Sequence, residues 1–233
     1  MNIALILAGG SGSRVNGELP KQFIKINNVP MLVHTVRCFK NHPDIGYICI
    51  VAPNEYTDMT QNVLSQYNEN VDAVITGGNS RMDSSYNGIM YLAGSFSPED
   101  IVLIHDAARP NVSKRIISEN IEMSKKKGSA VTVIPVQDTV LKCGGDSTIQ
   151  EYVNRNELYY VQTPQSFKLG VIAKAHEAIR AMIKNKEIDQ SQITDDSKLL
   201  YLSGENVSTV VGDKLNIKVT TKEDFSIICN IMK

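Results

Sequence analysis

Asn2–Leu7 (NIALIL) runs straight into Ala8–Arg14 (AGGSGSR), and Leu19-Pro20-Lys21-Gln22 follows close behind. An apolar run stopped at once by three glycines reads as a buried parallel strand entering a phosphate-hugging loop. Gly9, Gly10 and Gly12 let the backbone approach a ligand where a Cβ would collide. Their successive N–H groups can form an anion nest. Arg14 and Lys21 add two fixed positive charges just downstream. The arrangement suits a nucleoside triphosphate whose charge shifts during a reaction, and it points to an enzyme.

Two commoner glycine loops fit poorly. A Walker-type loop requires G-x-x-x-x-G-K-[ST], and no Lys-Ser or Lys-Thr follows at that spacing. A dinucleotide loop requires a third glycine where Val15 stands, and an acidic residue closing the second strand, which ends at Ala52-Pro53-Asn54. A nicotinamide-dependent oxidoreductase is therefore disfavoured. The plain alternative is a tight turn from strand to helix with no ligand.

With 233 residues, 42% hydrophobic and 21% charged, the chain can bury a substantial core in one α/β domain. A formal net charge of -1 supplies no global basic field, so neither nucleic acid nor an anionic membrane is expected as a partner. Cys38, Cys49, Cys143 and Cys229 show no C-x-x-C spacing and no metal-type pairing with histidine. They fit a reduced, cytoplasmic setting. No apolar stretch reaches 18 residues and no export signal opens the chain.

Short apolar runs alternate with helical spacing, the pattern of a doubly wound, mainly parallel Rossmann-like sheet with helices on both faces. Strands are expected at Ile3–Leu7, Tyr47–Ala52, Val71–Ile75, Ile101–His105, Ala130–Val136, Val207–Val211 and Ile217–Thr220. Helices are expected at Met31–Phe39, Arg81–Ala93, Lys114–Lys127 and Lys168–Lys184. Ser113 is the expected N-cap and Gly128 the stop of the third. Thr194 is read as capping a short helix through Leu202, and Thr221 with Asp224 as a capping box. Cys143-Gly144-Gly145-Asp146 is a turn between two short segments, so residues 139–164 are expected to form a protruding β-arm. An arm bearing Tyr152, Tyr159 and Tyr160 without its own core gains by packing on a second subunit, which points to a homodimer.

Asp106, in His105–Pro110 (HDAARP), follows the strand Ile101–His105 and so stands where ligands bind in open α/β sheets. It could hold Mg2+ where substrate phosphates supply other oxygens. Arg109 could fork onto a phosphate, though a simple Asp–Arg pair is the alternative. His105 reads as a satisfied strand-end histidine. Gly77-Gly78-Asn79-Ser80-Arg81 opens a helix whose N-terminal N–H groups favour an anion or a base carbonyl. Thr139, Arg155, Thr163 and Lys218 stand out singly only as polar residues near strand ends.

Together these pieces resemble the cytidylyltransferases that couple CTP to a polyol phosphate. The resemblance runs nearly end to end: AGGSGSR at Ala8–Arg14, PKQF at Pro20–Phe23, GG-x-x-R-x-D-S at Gly77–Ser84, HDAARP at His105–Pro110, PVQDT at Pro135–Thr139, QTPQSF at Gln162–Phe167, TDD at Thr194–Asp196 and NIKVTT at Asn216–Thr221. It implies a single nucleotidyltransferase domain over 1–233. Ala8, Gly9, Gly10 and Gly12 would surround the nucleotide, with Gly78, Arg81 and Ser84 on its base side. Arg14 and Lys21 would stabilise charge on the α-phosphorus, with Lys218 beside it and Asp106 near Mg2+. Arg109, Thr139, Thr163 and Arg155 would take the acceptor, Arg155 reaching over from a partner's arm. With these charges present, a subunit that binds nucleotide without catalysis is disfavoured. Two acceptors remain open. HDAARP, GG-x-x-R-x-D-S-x-Y-N-G and P-V-x-D-T resemble the 2-C-methyl-D-erythritol 4-phosphate cytidylyltransferases. The opening ILAGG resembles the ribitol-5-phosphate enzymes, and Asn154-Arg155 and Tyr159 depart from the Asp-Arg and Trp common in the first group.

Overall fold

The computed structural model describes residues 1–9 and 20–233. The expected Gly10, Gly12 and Arg14 lie outside that range. Along the chain come β1 (Asn2–Leu7), β2 (Lys25–Ile26), β3 (Val29–Pro30), α1 (Met31–Lys40), β4 (Tyr47–Ala52), α2 (Thr57–Gln66), β5 (Ala73–Thr76) and α3 (Arg81–Ala93). Then follow β6 (Ile101–Asp106), α4 (Lys114–Lys127), β7 (Ser129–Pro135), β8 (Val140–Cys143), β9 (Ile149–Val153) and β10 (Tyr159–Lys168). The chain closes with α5 (Leu169–Lys184), α6 (Asp196–Leu202), β11 (Thr209–Val211) and α7 (Lys222–Ile231).

Among the described residues one sheet has the order β11-β7-β10-β6-β1-β4-β5. Every neighbouring pair in it is parallel except the two that involve β10. β1 is buried along its whole length because both faces are covered, which is why it reads as a continuous apolar run. Ala4 and Ile6 pack on one side with Leu32, Val36 and Phe39 of α1 and Ile116 and Ile117 of α4. Ile3 and Leu5 pack on the other with Ile89 and Leu92 of α3, Ile172 and Ile179 of α5, and Leu199. The period-2 alternation of a strand thus feeds two separate cores. Truncating any of the leucines or isoleucines among these residues to alanine costs about 2–5 kcal/mol.

Several local expectations match the backbone. Ser113 accepts from the Ile116 N–H, and Gly128 closes α4 in the left-handed region at φ 89°, where a side chain would be strained. Thr221 and Asp224 form a reciprocal capping box at the head of α7. Others are corrected. The cap of α6 is Asp195, not Thr194, because its carboxylate accepts from Lys198 N at 2.9 Å. The strand expected from Val71 begins at Ala73, and that expected from Val207 begins at Thr209. Residues 217–220 form no strand: within this β-branched run, Val219 N donates to Ala108 O at 2.9 Å without extending a ladder. Four elements were not expected: α2, β10 and the short paired strands β2 and β3.

β8 and β9 form a separate two-stranded hairpin in which almost every residue is exposed. Tyr159–Val161, by contrast, already pair with β7 in the main sheet.

Candidate active site

The C-terminal ends of β1, β4 and β6 open on a cleft. Among the described residues it is lined by the start of the glycine loop, by the turn before α3, by Asp106–Ala108, and by Lys21, Gln22 and Lys218. Gln22, 2% exposed, donates from its side-chain amide to Ala8 O at 2.8 Å and so fixes where the glycine loop leaves β1. Lys21 Nζ stands 3.3 Å from Val219 O. On the opposite wall Gly78 N donates to Ser84 Oγ at 3.1 Å, and Ser80 caps α3 by accepting from Asp83 N. A Cβ on Gly78 would fall 2.3 Å from the Asp83 Cβ, so only glycine lets this turn lie against α3.

Asp106 is the last residue of β6 and is the centre of charge. Its Oδ2 lies 2.7 Å from Lys218 Nζ and 4.0 Å from Arg109 Nε, and its Oδ1 lies 3.6 Å from Arg81 Nη2. Burial alone would raise its pKa, but Arg81, Lys218 and Arg109 outweigh burial and hold the carboxylate well below the usual range. Arg81 also meets Asp196, with Nη1 2.8 Å from Oδ2. Burial opposes the Arg81 charge, while Asp196 and then Asp106 raise its pKa above the ordinary arginine value. Among the described residues that line it, Lys21, Arg81 and Lys218 set against Asp106 leave the cleft with surplus positive charge. Such a cleft suits a polyanion.

Three distant stretches of sequence are knitted together behind Asp106. The Asp106 N–H donates to Thr163 Oγ1 at 3.1 Å. Asn216 Nδ2 donates to Thr163 O at 2.8 Å, and Arg109 Nη1 donates to Asn216 O at 2.7 Å. His105 is fully buried and its Nε2–H donates to Arg109 O at 3.0 Å. Burial lowers its pKa to about 4, so it is neutral and serves as scaffold.

A family model described as IspD, 2-C-methyl-D-erythritol 4-phosphate cytidylyltransferase, matches residues 2–233. The chain belongs to this family. The 2-C-methyl-D-erythritol 4-phosphate cytidylyltransferase of Thermosipho melanesiensis is 39% identical over 228 residues, covering 98% of this chain and 96% of that protein. The enzyme of the same name from Clostridioides difficile is 38% identical over 233 residues, covering 100% of this chain and 94% of its own length. Among solved structures, the 4-diphosphocytidyl-2C-methyl-D-erythritol synthase of Anaerococcus prevotii superposes with a TM-score of 0.81 at 26% identity, covering 99% of this chain and 97% of that one. The Francisella tularensis 2-C-methyl-D-erythritol 4-phosphate cytidylyltransferase superposes at 0.79 and 27% identity, covering 97% of each chain.

Within this cytidylyltransferase frame the candidate residues divide. Ala8, Gly9, Gly78, Arg81 and Ser84 line the cleft with Lys21, Lys218 and Asp106. Arg109 and Thr163, 8% and 4% exposed, sit behind Asp106 as its support rather than on the cleft wall. Thr139 and Arg155 are exposed beside the hairpin, where Arg155 Nη1 donates to Gln137 O at 2.6 Å. Among the described residues no group of three or more His, Cys, Asp or Glu side chains is placed to hold a metal ion. Asp196, Gln22 and Asn216 carry the site without having been singled out as site residues. The TDD, PKQF and NIKVTT stretches contained them, and only the fold reveals what they touch.

Proposed function

We propose that this protein joins CTP to 2-C-methyl-D-erythritol 4-phosphate, giving 4-diphosphocytidyl-2-C-methyl-D-erythritol and pyrophosphate. The carrying observation is the ring of Arg81, Lys218 and Arg109 around Asp106 in a cleft that also holds Lys21 and the start of the glycine loop. The acceptor follows the names of the relatives, which carry methylerythritol phosphate. An acceptor phosphate oxygen attacks the α-phosphorus, the bond to the bridging oxygen breaks, and pyrophosphate leaves with the electron pair. The nucleophile is already ionised, so the chain supplies position and positive charge rather than a strong base. Lys21 and Arg14 would stabilise the charge gathering on the α-phosphoryl oxygens, with Lys218 alongside. Ala8, Gly9, Gly78 and Ser84 seat the nucleoside, and Gly10 and Gly12, outside the described residues, carry the same assignment.

A magnesium ion fits Asp106 because a single carboxylate suffices when triphosphate oxygens complete the coordination, and it would screen and polarise those oxygens. Arg155 and Thr139 would complete the acceptor end from a partner's hairpin, making the enzyme a homodimer whose β8–β9 arms are exchanged. Four unbridged cysteines support a cytoplasmic setting. Among the described residues no helix is long and apolar enough to cross a membrane.

The test is pyrophosphate release with CTP, Mg2+ and either methylerythritol 4-phosphate or ribitol 5-phosphate, with ATP, GTP and UTP as controls. Release with CTP and methylerythritol 4-phosphate is expected. Release with ribitol 5-phosphate alone would overturn the acceptor, and no release with CTP would overturn the activity.

A further inference from the structure

Asp196 is 1% exposed, and a carboxylate that deep persists only with its oxygens satisfied. Oδ1 accepts from Ser85 Oγ at 2.5 Å, and Oδ2 lies 2.8 Å from Arg81 Nη1. The Ser85 hydroxyl gives its proton to the carboxylate, so it must accept from its other neighbour, His176 Nε2 at 3.3 Å. Nε2 therefore carries the imidazole hydrogen, which agrees with Nδ1 having no partner. Burial lowers the His176 pKa to about 4 and leaves the ring neutral. Within the cluster the full positive charge facing Asp196 is that of Arg81.

Arg81 is the first residue of α3, where the helix dipole disfavours a cation. Its side chain is 30% exposed and lines the cleft. Nothing in local helix energetics holds a guanidinium there, and free in solution it would turn towards water. The anchor comes from elsewhere in the fold: Asp196 on α6 at 2.8 Å, backed by Ser85 and by His176 on α5, and more loosely Asp106 at the end of β6, at 3.6 Å.

We infer that Asp196, with Ser85 and His176 behind it, is a positioning residue: it grips one edge of the Arg81 guanidinium so that the other edge faces the CTP phosphates. The inference rests on the CTP reading above. Asp196 touches no substrate, and it acts through Arg81.

The experiment measures CTP affinity by calorimetry without acceptor, together with the guanidinium Nη1–H resonance of Arg81, the group facing Asp196. Asp196→Asn keeps the size and the Ser85 partner and removes the charge. It should weaken CTP binding about 10- to 100-fold, as expected for a lost charge-assisted contact, and leave the acceptor KM within about twofold. In an Arg81→Ala background the same change should add less than about twofold, because the group it positions is gone. A purely structural role would cost the same in both backgrounds, and that result overturns the inference. Ser85→Ala, a gentler change, should weaken CTP binding a fewfold in the same direction, and serves if Asp196→Asn does not fold. The Arg81 resonance, slowly exchanging in the wild type, should exchange rapidly in either variant. An unchanged resonance overturns the positioning role whether or not CTP is the ligand. Wild-type protein that ignores CTP but loses the resonance in the variants would instead fail the CTP reading and leave the anchoring intact.

Discussion

The cleft and the hairpin are built on opposite principles. Among the described residues of the cleft and its support, Arg81, Arg109 and Lys218 each have a partner from a remote part of the chain: Arg81 on Asp196, Arg109 on Asn216, Lys218 on Asp106. The hairpin carries Tyr152 at 68% exposure and Ile149 at 53%, and Arg155 has a single backbone carbonyl as its partner. A two-stranded ribbon without a core is marginal in water. One region is finished within its own chain; the other has the form of something to be completed by contact. Nucleotide chemistry should therefore respond to changes in the cleft alone, and acceptor binding to changes in the hairpin.

The sharpest break of that division is Lys21→Ala. Loss of a charge aimed at the transition state should lower kcat about 100- to 1000-fold with CTP affinity and folding little changed, read by pyrophosphate release and calorimetry. Normal turnover would remove Lys21 from the chemistry.

Next in size is the response of the cleft's scaffold to acid. His105 and His176 titrate near 6.5 when unfolded but at about 4 when folded, because burial disfavours the charged ring. Between those values unfolding takes up protons, so the stability they allow is complete above pH 6.5 and falls as the pH drops towards 4. Each should remove about 1.4 kcal/mol per pH unit in that window, on the order of 3 kcal/mol across it. Urea unfolding at pH 7 and 4.5 reads the loss. His105→Gln, whose amide can still donate to Arg109 O, should reduce the slope by one proton's share. An undiminished slope would mean that His105 is not the buried group responsible.

On the hairpin side, Arg155→Ala should raise the acceptor KM about 10- to 100-fold and leave the CTP KM alone. If arms are exchanged, mixed dimers of Arg155→Ala and Lys21→Ala subunits should regain activity, because one composite site has both residues. Verified mixed dimers that stay inactive would show that the hairpin serves its own chain.

The same contrast explains what could be read in the sequence. β1, β4 and β6 were legible because parallel strands covered on both faces are apolar throughout, and the hairpin turn because Gly-Gly-Asp leaves few alternatives. β10 was not. Its buried stretch, 162–167, holds Gln162, Thr163, Gln165 and Ser166 around Pro164 before Phe167, too many polar residues for a hydrophobic pattern to mark. Each polar side chain finds a partner from elsewhere: Gln162 donates to Asp213 O, Thr163 accepts from Asp106 N, Gln165 Oε1 accepts from Ser197 N, and Ser166 donates to Asn120. α2 buries only Thr60 and Leu64 and so has too thin an apolar face to stand out. Residues 217–220 look like a strand because β-branched residues favour one, yet their backbone is used to set Lys218 beside Asp106. Ser85 and Asp196 meet across 111 positions of sequence, and no local rule reaches that far.

The smallest effect tests whether the cleft depends on support far from its charges. Lys218 lies on an extended segment without ladder partners, yet its Nζ stays 2.7 Å from Asp106. The segment is held from behind: Val219 is fully buried with Ile26, Met31, Ala108 and Ile228, and Asp224 accepts from Thr220 N and Thr221 N at 2.9 Å each. Thr221→Ala removes half of the capping box and should cost about 1 kcal/mol of stability. Lys218 stands three residues before that cap, so a fewfold fall in kcat should accompany the stability loss, with the acceptor KM unchanged. If kcat stays whole while stability falls, the packing of Val219 alone aligns Lys218 and the cap serves only α7. If the acceptor KM moves instead, the two regions share support and their division fails.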